Sequence, residues 1–288
     1  MEWLPEDYEG SWTLDGITFR EGIGLHSGEK TFVELAPSSE PGFHVSWINN
    51  CNPPITLEPN QVINSQLCTS LQLGDNKLST VEHLLSAVVG CGLTHLQITV
   101  NGEEIPLLDG SALPWVNAIR EVGLRAVTGK PRCRPVINQS LIIHQGNSVI
   151  SVTPNNECKL IAVIDFPYSV IGQQSFSIDL SPRSFVEQIA PARTFGFKDQ
   201  LETLRAKGLI KGGSLENSLV CDHNKWLNPP LRFKEEPVRH KLLDLIGDLA
   251  LVGLPKAQVL VYRGSHALHA KLASALQQAC PSSKCSLD

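Results

Sequence analysis

Short apolar runs separated by polar turns occupy the first part of the chain, and helical spacing follows them. From about residue 11 to 75 the apolar runs alternate with clusters of Pro, Asn and Gly, a pattern typical of strands joined by turns. Apolar residues then recur at helical spacing over about 80–90 and 112–122, with an alternating, strand-like run at 96–100 between them. The first half is therefore predicted to contain strands plus two helices.

The second half shows the same order of strands first and helices afterwards. Strands are predicted at 136–143, 149–152, 160–166 and 259–262. Helices are predicted at 185–189, 198–207, 238–251 and 267–279. The shared order indicates a duplicated architecture, although the residues themselves show no convincing repeat.

A short stretch bracketed by prolines, 130–135, is the predicted linker between the two halves. We therefore predict an α+β fold of two similar layered sheet-and-helix domains, an N-terminal domain over 1–130 and a C-terminal domain over 131–288.

Composition narrows the class of protein. With 288 residues, 42% of them apolar and 18% charged, the chain can bury a real core. A formal net charge of −5 leaves no global basic field, so we expect no nucleic-acid partner. No run approaches the roughly 18 apolar residues of a membrane-spanning helix, and the acidic N-terminus is unlike a signal peptide. We expect a cytoplasmic protein.

Eight cysteines are scattered through the chain without a C-x-x-C pair. In a chain large enough to fold without a disulfide framework, most are predicted to be reduced. A disulfide between Cys280 and Cys285 is the alternative for the C-terminal tail.

The most informative polar pattern lies in the helix predicted at 238–251. His240, Asp244 and Asp248 recur every four residues and so form one stripe, while leucine and isoleucine fill the other directions. Such a stripe faces either water or a site lined with partners, because an unpaired buried carboxylate is costly. Seen alone, the pattern leaves both alternatives open.

Catalytic zinc requires about three protein ligands and one open position. His240 and Asp244 supply two, and the pair Glu82-His83 offers a third ligand beside a carboxylate. The plainer alternative is that Glu82 completes a capping box with Ser79 at the helix start and that His83 is a satisfied, partly buried histidine.

His266 follows a predicted strand and a Gly-Ser turn, a position from which a side chain can enter a cleft. As a general acid it would need an acidic neighbour to keep it protonated, and Asp248 is free for that task. The alternative is an exposed residue at a helix start.

Five motifs in order carry a more specific signal. The chain resembles the UDP-3-O-acyl-N-acetylglucosamine deacetylases of lipid A biosynthesis from about residue 22 to 276, through TVEHL at 80–84, EIPLLDGSA at 104–112, ARTFGF at 192–197, KGLIKGGS at 207–214 and VRHKLLDLIGD at 238–248. The resemblance implies two layered α+β domains with the active site between them. It also implies that His83, His240 and Asp244 bind Zn²⁺.

The resemblance further implies which residues act in catalysis. Glu82 would be the general base, and His266 its positively charged partner, oriented by Asp248. The Thr194 hydroxyl and His266 would stabilise the oxyanion, and Lys241 would face the site. Whether Glu82 or His266 protonates the leaving amine stays open.

Substrate contacts also follow from the resemblance. Phe195 would pack on the sugar, Asp165 and Phe166 would lie near the uridine end, and His26 would approach the phosphates. Arg263 would supply charge for the diphosphate, although the family often reads Lys-Ser-Gly-His where this chain has Arg263-Gly264-Ser265-His266. A turn-stabilising role is the alternative for His26. The remaining histidines are expected to be structural or exposed: His44, His95, His144, His223 and His269.

The resulting hypothesis is a zinc amidohydrolase that removes acetate from an acylated UDP-sugar. We expect a monomer without a transmembrane segment, and transient contact with the membrane or with acyl-carrier-dependent enzymes is left open. Two alternatives remain. One is a different zinc amidase or peptidase, and the lack of H-E-x-x-H weakens the peptidase version. The other is a non-catalytic lipid- or nucleotide-binding module.

Overall fold

A computed structural model describes residues 1–48, 50–128 and 134–279. Most of the predicted linker, the predicted domain boundary at 130/131 and the Cys280–Cys285 pair lie outside these residues. Among the described cysteines, Cys68, Cys91, Cys158 and Cys221 are buried free thiols. No helix in the described ranges has the length and apolar character needed to cross a membrane.

The first half contributes strands β1 to β10 and helices α1 and α2. The strands are β1 Trp12–Leu14, β2 Thr18–Ile23, β3 Lys30–Ala36, β4 Gly42–Trp47, β5 Ile55–Thr56, β6 Val62–Ile63, β7 Ser70–Leu73, β8 Asn76–Ser79, β9 His95–Val100 and β10 Leu124–Ala126. The helices are α1 Glu82–Gly90 and α2 Leu113–Val122, with a 3₁₀ turn at Pro59–Gln61.

The second half contributes strands β11 to β18 and helices α3 to α6. The strands are β11 Leu141–Gln145, β12 Ser148–Pro154, β13 Lys159–Asp165, β14 Gln173–Asp179, β15 Phe195–Phe197, β16 Leu219–Asp222, β17 Lys225–Trp226 and β18 Ala257–Tyr262. The helices are α3 Pro182–Gln188, α4 Leu201–Ala206, α5 Glu236–Leu249 and α6 His266–Ala279, with a 3₁₀ turn at Lys198–Gln200 before α4.

Each half is built around a five-stranded sheet, and the two sheets have the same topology. Their orders are β2-β3-β9-β4-β5 and β11-β12-β18-β13-β14. In both, the last of the five strands in the chain occupies the centre of the sheet, antiparallel to the second of them and parallel to the third. The predicted α+β fold is confirmed, and the shared order of elements reflects a shared sheet topology.

The sheets bury one face, as the alternation of their side chains requires. Along β13, Leu160, Ala162 and Ile164 are buried while the residues between them are partly exposed. The same alternation places Val33 and Leu35 of β3 in the core. Apolar and polar residues alternate along half-buried strands for this reason.

Helices from the two halves meet in the middle of the molecule. Helix α1 is buried over its whole length and packs against α5, which also contacts α6 and β13. At the contact, a Cβ atom added to Gly247 of α5 would lie 2.1 Å from the carbonyl oxygen of Glu82. The backbones can approach so closely only because residue 247 has no side chain.

Some predicted boundaries and one predicted cap are wrong. Helix α1 begins at Glu82 with Val81 as N-cap and no side-chain cap, so the predicted capping box does not form. Ser79 instead ends β8, and the Glu82 carboxylate accepts a hydrogen bond from the backbone N–H of Thr69. The strand predicted at 136–143 begins at Leu141. Strands that were not predicted include the polar edge strand β14.

Candidate functional site

The polar stripe of α5 faces the protein interior. His240, Asp244 and Asp248 are only 2%, 2% and 3% exposed. All three have polar partners, so the alternative of a solvated helix face is wrong. The stripe lines a buried site, and Asp244 and Asp248 each stand at the centre of a separate cluster.

The first cluster surrounds Asp244. Its Oδ1 atom lies 3.3 Å from Nε2 of His240 and 3.8 Å from Nε2 of His83, which α1 supplies from the other half. The two imidazole rings are perpendicular, with centroids 5.0 Å apart. The other carboxylate oxygen, Oδ2, accepts a hydrogen bond from Nζ of Lys241 at 2.6 Å.

The hydrogen bonding of His240 leaves a lone pair directed at this cluster. Its Nδ1 atom lies 3.0 Å from the carbonyl oxygen of Ala192. A carbonyl oxygen only accepts, so Nδ1 carries the proton and Nε2 presents its lone pair toward Asp244. His83, His240 and Asp244 each offer one ligand atom, all within 4.8 Å of one another. Two imidazoles and a carboxylate suit a divalent cation such as zinc, so the donor set fits a metal.

The charge states of this cluster also suit a cation. Burial, reinforced by His240, lowers the pKa of His83 to about 3. Burial likewise lowers the pKa of His240. For Asp244, burial raises the pKa, but Lys241 and the nearby histidines together hold it well below its usual value. Neutral imidazoles and an ionised carboxylate are the forms that bind metals.

Glu82 immediately precedes His83 at the start of α1. Its side chain is 3% exposed, and Oε2 accepts the Thr69 N–H at 3.0 Å. Burial raises the pKa of Glu82 to about 8, although His266 opposes the shift. A carboxyl group with a pKa near neutrality is suited to accept and return a proton.

The second cluster surrounds Asp248. Thr69 donates its hydroxyl to Oδ1, while Oδ2 lies 2.9 Å from Nδ1 of His266 and 2.8 Å from Nδ1 of His269. Burial alone would lower the pKa of His266, but the carboxylates, above all Asp248, raise it to about 10. Burial opposes ionisation of Asp248 as well, yet the two histidines lower its pKa to about 2. His266 and Asp248 therefore form an ion pair at neutral pH.

His269 is the member of this cluster that the sequence did not reveal. It was expected to be structural or exposed, but it is 1% exposed and contacts Asp248 directly. The available signal was the spacing of His266 and His269, three residues apart at the start of a helix. Asp248, His266 and His269 are also close enough to hold a metal, but both Nδ1 atoms already bond to Asp248.

A cleft of about 450 Å³ opens beside the first cluster, the one around Asp244. Its lining includes Asp165, Phe166, Lys241, Arg263 and Gly264. Within the cleft, Nη2 of Arg263 forms an ion pair with Oδ2 of Asp165 at 2.6 Å. Lys241, which also bonds to Asp244, links the cleft to the first cluster. Four residues predicted to contact substrate or face the site therefore share one cavity.

Aromatic rings lie between the cleft and the first cluster. The Phe195 ring lies 6.3 Å from the His240 ring and 5.5 Å from the Phe166 ring, edge to face in both cases. Nζ of Lys241 is 5.8 Å from the centroid of Phe195. Phe195 thus lies between the cleft and His240.

Thr194 and His26 lie in segments that tie the two halves together. The backbone N–H of Thr194 donates to the carbonyl of Gly110 at 2.7 Å. The N–H of Ile210 lies 3.4 Å from Nδ1 of His26. Burial lowers the pKa of His26. These hydrogen bonds of His26 hold two loops together, which fits the turn-stabilising alternative, and the phosphate contact stays a prediction.

Two buried carboxylates hold the loops around the site. Glu104 accepts the backbone N–H groups of His26 and Ser27 and the hydroxyl of Thr80, the second residue before Glu82. Glu236, which sequence reasoning did not single out, is fully buried and pairs with Arg193 at 2.8 Å. Glu104 therefore fixes the backbone at His26 and the segment just before Glu82. Glu236 fixes Arg193, the residue before Thr194.

Comparison with known proteins gives a consistent result. The family model described as UDP-3-O-acyl N-acetylglycosamine deacetylase matches residues 12–278. A protein of Synechocystis sp. named UDP-3-O-acyl-N-acetylglucosamine deacetylase is 46% identical over 257 residues, 88% of this chain and 93% of that protein. Proteins of the same name from Thermosynechococcus vestitus and Campylobacter jejuni are 44% and 39% identical, covering 92% and 89% of this chain and 93% and 86% of their own lengths.

Proposed function

The chain belongs to the UDP-3-O-acyl N-acetylglycosamine deacetylase family, and we propose that it hydrolyses the N-acetyl group of UDP-3-O-acyl-N-acetylglucosamine. The products are UDP-3-O-acyl-glucosamine and acetate, and the reaction is an early committed step of lipid A biosynthesis. The observation that carries this proposal is the buried cluster of His83, His240 and Asp244 beside Glu82. The enzyme is thus an amidohydrolase.

His83, His240 and Asp244 are the proposed zinc ligands. When bound there, zinc supplies a water of lowered pKa and withdraws electrons from the amide carbonyl. The Ala192 carbonyl keeps His240 in the tautomer that presents Nε2, and Lys241 holds the outer oxygen of Asp244. These contacts orient the ligands before any substrate enters.

Glu82 is the proposed general base. Its carboxylate accepts the proton of the attacking water, while the Thr69 N–H fixes the position of Oε2. With a pKa raised to about 8, Glu82 can hold that proton through the reaction. His266 already carries a proton at neutral pH, so two donors are present for the leaving amine.

His266 and Thr194 are proposed to act on the charge that develops at the carbonyl oxygen. Because Asp248 keeps His266 protonated, the imidazolium contributes a fixed positive charge in a buried site. The hydroxyl of Thr194 would add a hydrogen bond to the same oxygen. Asp248 acts through His266 and is a positioning residue.

The cleft is proposed to bind the UDP-sugar. Lys241 and Arg263 bring positive charge for the diphosphate, and Asp165 and Phe166 would lie near the uridine end. Phe195, between the cleft and His240, is placed to pack on the sugar. We propose a cytoplasmic monomer acting on a small molecule, without nucleic acid. A carboxyl group with its pKa near neutrality and a protonated histidine beside the proposed metal ligands argue against a non-catalytic binding module.

Metal analysis combined with an acetate-release assay on the acylated UDP-sugar tests the proposed function. The purified protein should contain roughly one zinc ion per chain and release acetate. Glu82→Ala should keep the zinc but lose roughly 10²–10⁴-fold in rate, since that is the usual contribution of a general base. Asp244→Ala should lose both. If the unaltered protein contained no zinc and released no acetate, the proposed function would be ruled out. Full turnover by Glu82→Ala would rule out Glu82 as the base.

A further inference from the structure

His269 shares one oxygen of Asp248 with His266. The two Nδ1 atoms lie 2.8 Å and 2.9 Å from Oδ2, and both histidines come from the first turn of α6. Because an ionised carboxylate only accepts hydrogen bonds, each Nδ1 must carry a proton. With the Thr69 hydroxyl on Oδ1, three donors hold the carboxylate in one orientation.

The edge of the His269 ring that carries Nε2 limits the space for a side chain at residue 264. A Cβ atom added to Gly264 would lie 2.7 Å from Nε2 of His269 and 2.6 Å from Cγ1 of Val261. Gly264 has no positive φ angle, so space, and not backbone conformation, excludes a side chain there. Gly264 also lines the cleft, so the His269 ring lies close behind a residue of the cleft wall.

Ser265 completes this arrangement. Its hydroxyl oxygen lies 3.3 Å from the backbone N–H of Leu268, and its carbonyl oxygen accepts the N–H of His269 at 2.9 Å. Ser265 therefore occupies the capping position at the start of α6. The family often shows Ser-Gly at these two positions, whereas this chain has Gly264-Ser265. With this order the serine caps α6, and the glycine leaves room for the His269 ring.

We propose that His269 is a positioning residue for the deacetylation, fixing the carboxylate of Asp248 that orients His266, and that Gly264 supplies the space for its ring. This inference rests on the proposed function. His266 faces Asp248 and Asp244 of α5, Glu82 of α1 and His269 of its own helix. Without the His269 N–H, Oδ2 of Asp248 would accept a hydrogen bond from His266 alone. Asp248 would then keep only two of the three hydrogen bonds that fix its orientation.

A matched pair of variants separates hydrogen bonding from packing. In His269→Asn, an amide N–H replaces Nδ1–H at nearly the same position, whereas His269→Leu has the same branching without a donor. We expect the leucine variant to lose roughly tenfold to a hundredfold in kcat with little change in KM, as for a lost hydrogen bond to a charged group. The asparagine variant should stay within a few fold of the unaltered enzyme.

The zinc-loaded enzyme labelled with ¹³C-histidine gives a second readout. The pKa of His266, followed by NMR, should rise in His269→Leu and stay close to its original value in His269→Asn. If packing alone mattered, the buried apolar leucine would be the milder change, so a leucine variant as active as the asparagine variant overturns the proposal. The NMR comparison also tests the positioning role if the unaltered enzyme releases no acetate, an outcome that contradicts only the proposed function.

A double-variant cycle tests the role of Gly264 and does not depend on the leucine variant folding. Gly264→Ala should reduce thermal stability and kcat because its Cβ meets the His269 ring. Combining it with His269→Asn, which has no ε atoms, should restore part of both, with the remainder due to Val261. Strictly additive effects of the two substitutions would contradict the proposed contact.

Discussion

Asp244 and Asp248 stand one helical turn apart on α5, and each lies between two histidines. Asp244 meets His83 and His240, and Asp248 meets His266 and His269. Around Asp244 the histidines turn Nε2 toward the carboxylate, and at His240 this atom carries a lone pair. Around Asp248 they turn Nδ1–H toward it. The same residue types therefore form a cluster that could hold a metal in one place and a cluster that holds protons in the other.

The pKa values of the histidines record this difference. Burial lowers the pKa of both His83 and His240, so they stay neutral. Asp248 overcomes burial at His266 and raises its pKa to about 10. The composition of a cluster thus does not determine its chemistry, because the second partner of each ring, such as the Ala192 carbonyl, fixes which nitrogen carries the proton.

Matched amide substitutions at Asp244 and Asp248 should give the clearest difference between the two clusters. Asp244→Asn removes a ligand charge, so we expect zinc to fall to background and acetate release to fall by more than about 10³-fold. Asp248→Asn should retain zinc and lose about 10²-fold, because only the acid is impaired. Metal analysis and initial rates measure both, with Asp179→Asn, an exposed residue of β14, as the control. Loss of zinc from Asp248→Asn would show that the two clusters are not separate.

The pH dependence of the rate should also distinguish the Asp248 cluster from the Asp244 cluster. The role proposed for His266 requires its protonated form, so activity should fall as pH rises through its pKa of about 10. Replacing Asp248 by Asn removes the charge that raises this pKa, so the alkaline limb of kcat/KM should move to lower pH. Zinc-loaded enzymes assayed from neutral to alkaline pH show this shift. An unmoved limb in Asp248→Asn would assign it to another group.

The smallest expected effect comes from the helix contact that both clusters share. In Gly247→Ala the new Cβ would lie 2.1 Å from the Glu82 carbonyl, so α1 and α5 must separate. We expect a loss of about 1–3 kcal/mol in the free energy of unfolding, as for other overpacked cores. Denaturant unfolding measures it. Gly196→Ala, where nothing lies within 4 Å of the added Cβ, should cost far less stability, and equal losses would refute the contact.

The sequence allowed the α+β class, the strand and helix order of each half and the α5 stripe to be predicted, because these depend on local periodicity. Burial of the stripe was not determined locally, since it results from α1 packing on α5 across Gly247. The capping box at Glu82 was wrong because its carboxylate bonds to Thr69, a contact that depends on tertiary structure. His269 was missed for the same reason, as its partner Asp248 lies on another helix.

The motifs EIPLLDGSA and ARTFGF illustrate the other limit of sequence reasoning. Resemblance marked both segments, but no role for Glu104 could be derived from residue types alone. In the structure its carboxylate ties the His26 loop to Thr80 just before α1. Glu236 holds Arg193 in the same way, next to Thr194. Such supporting carboxylates are visible only when the loops they join are placed in space.

In each of the two five-stranded sheets, the central strand is the last strand of that sheet to be synthesised. Neither β9 nor β18 has a sequence neighbour as its partner, so each sheet closes through long-range contacts, which slow folding. The N-terminal sheet can close early in translation and present His83 on α1, but His240 and Asp244 emerge much later. The three proposed zinc ligands can therefore come together only after nearly the whole chain has been synthesised, and zinc bound to them would add its free energy to the native state alone.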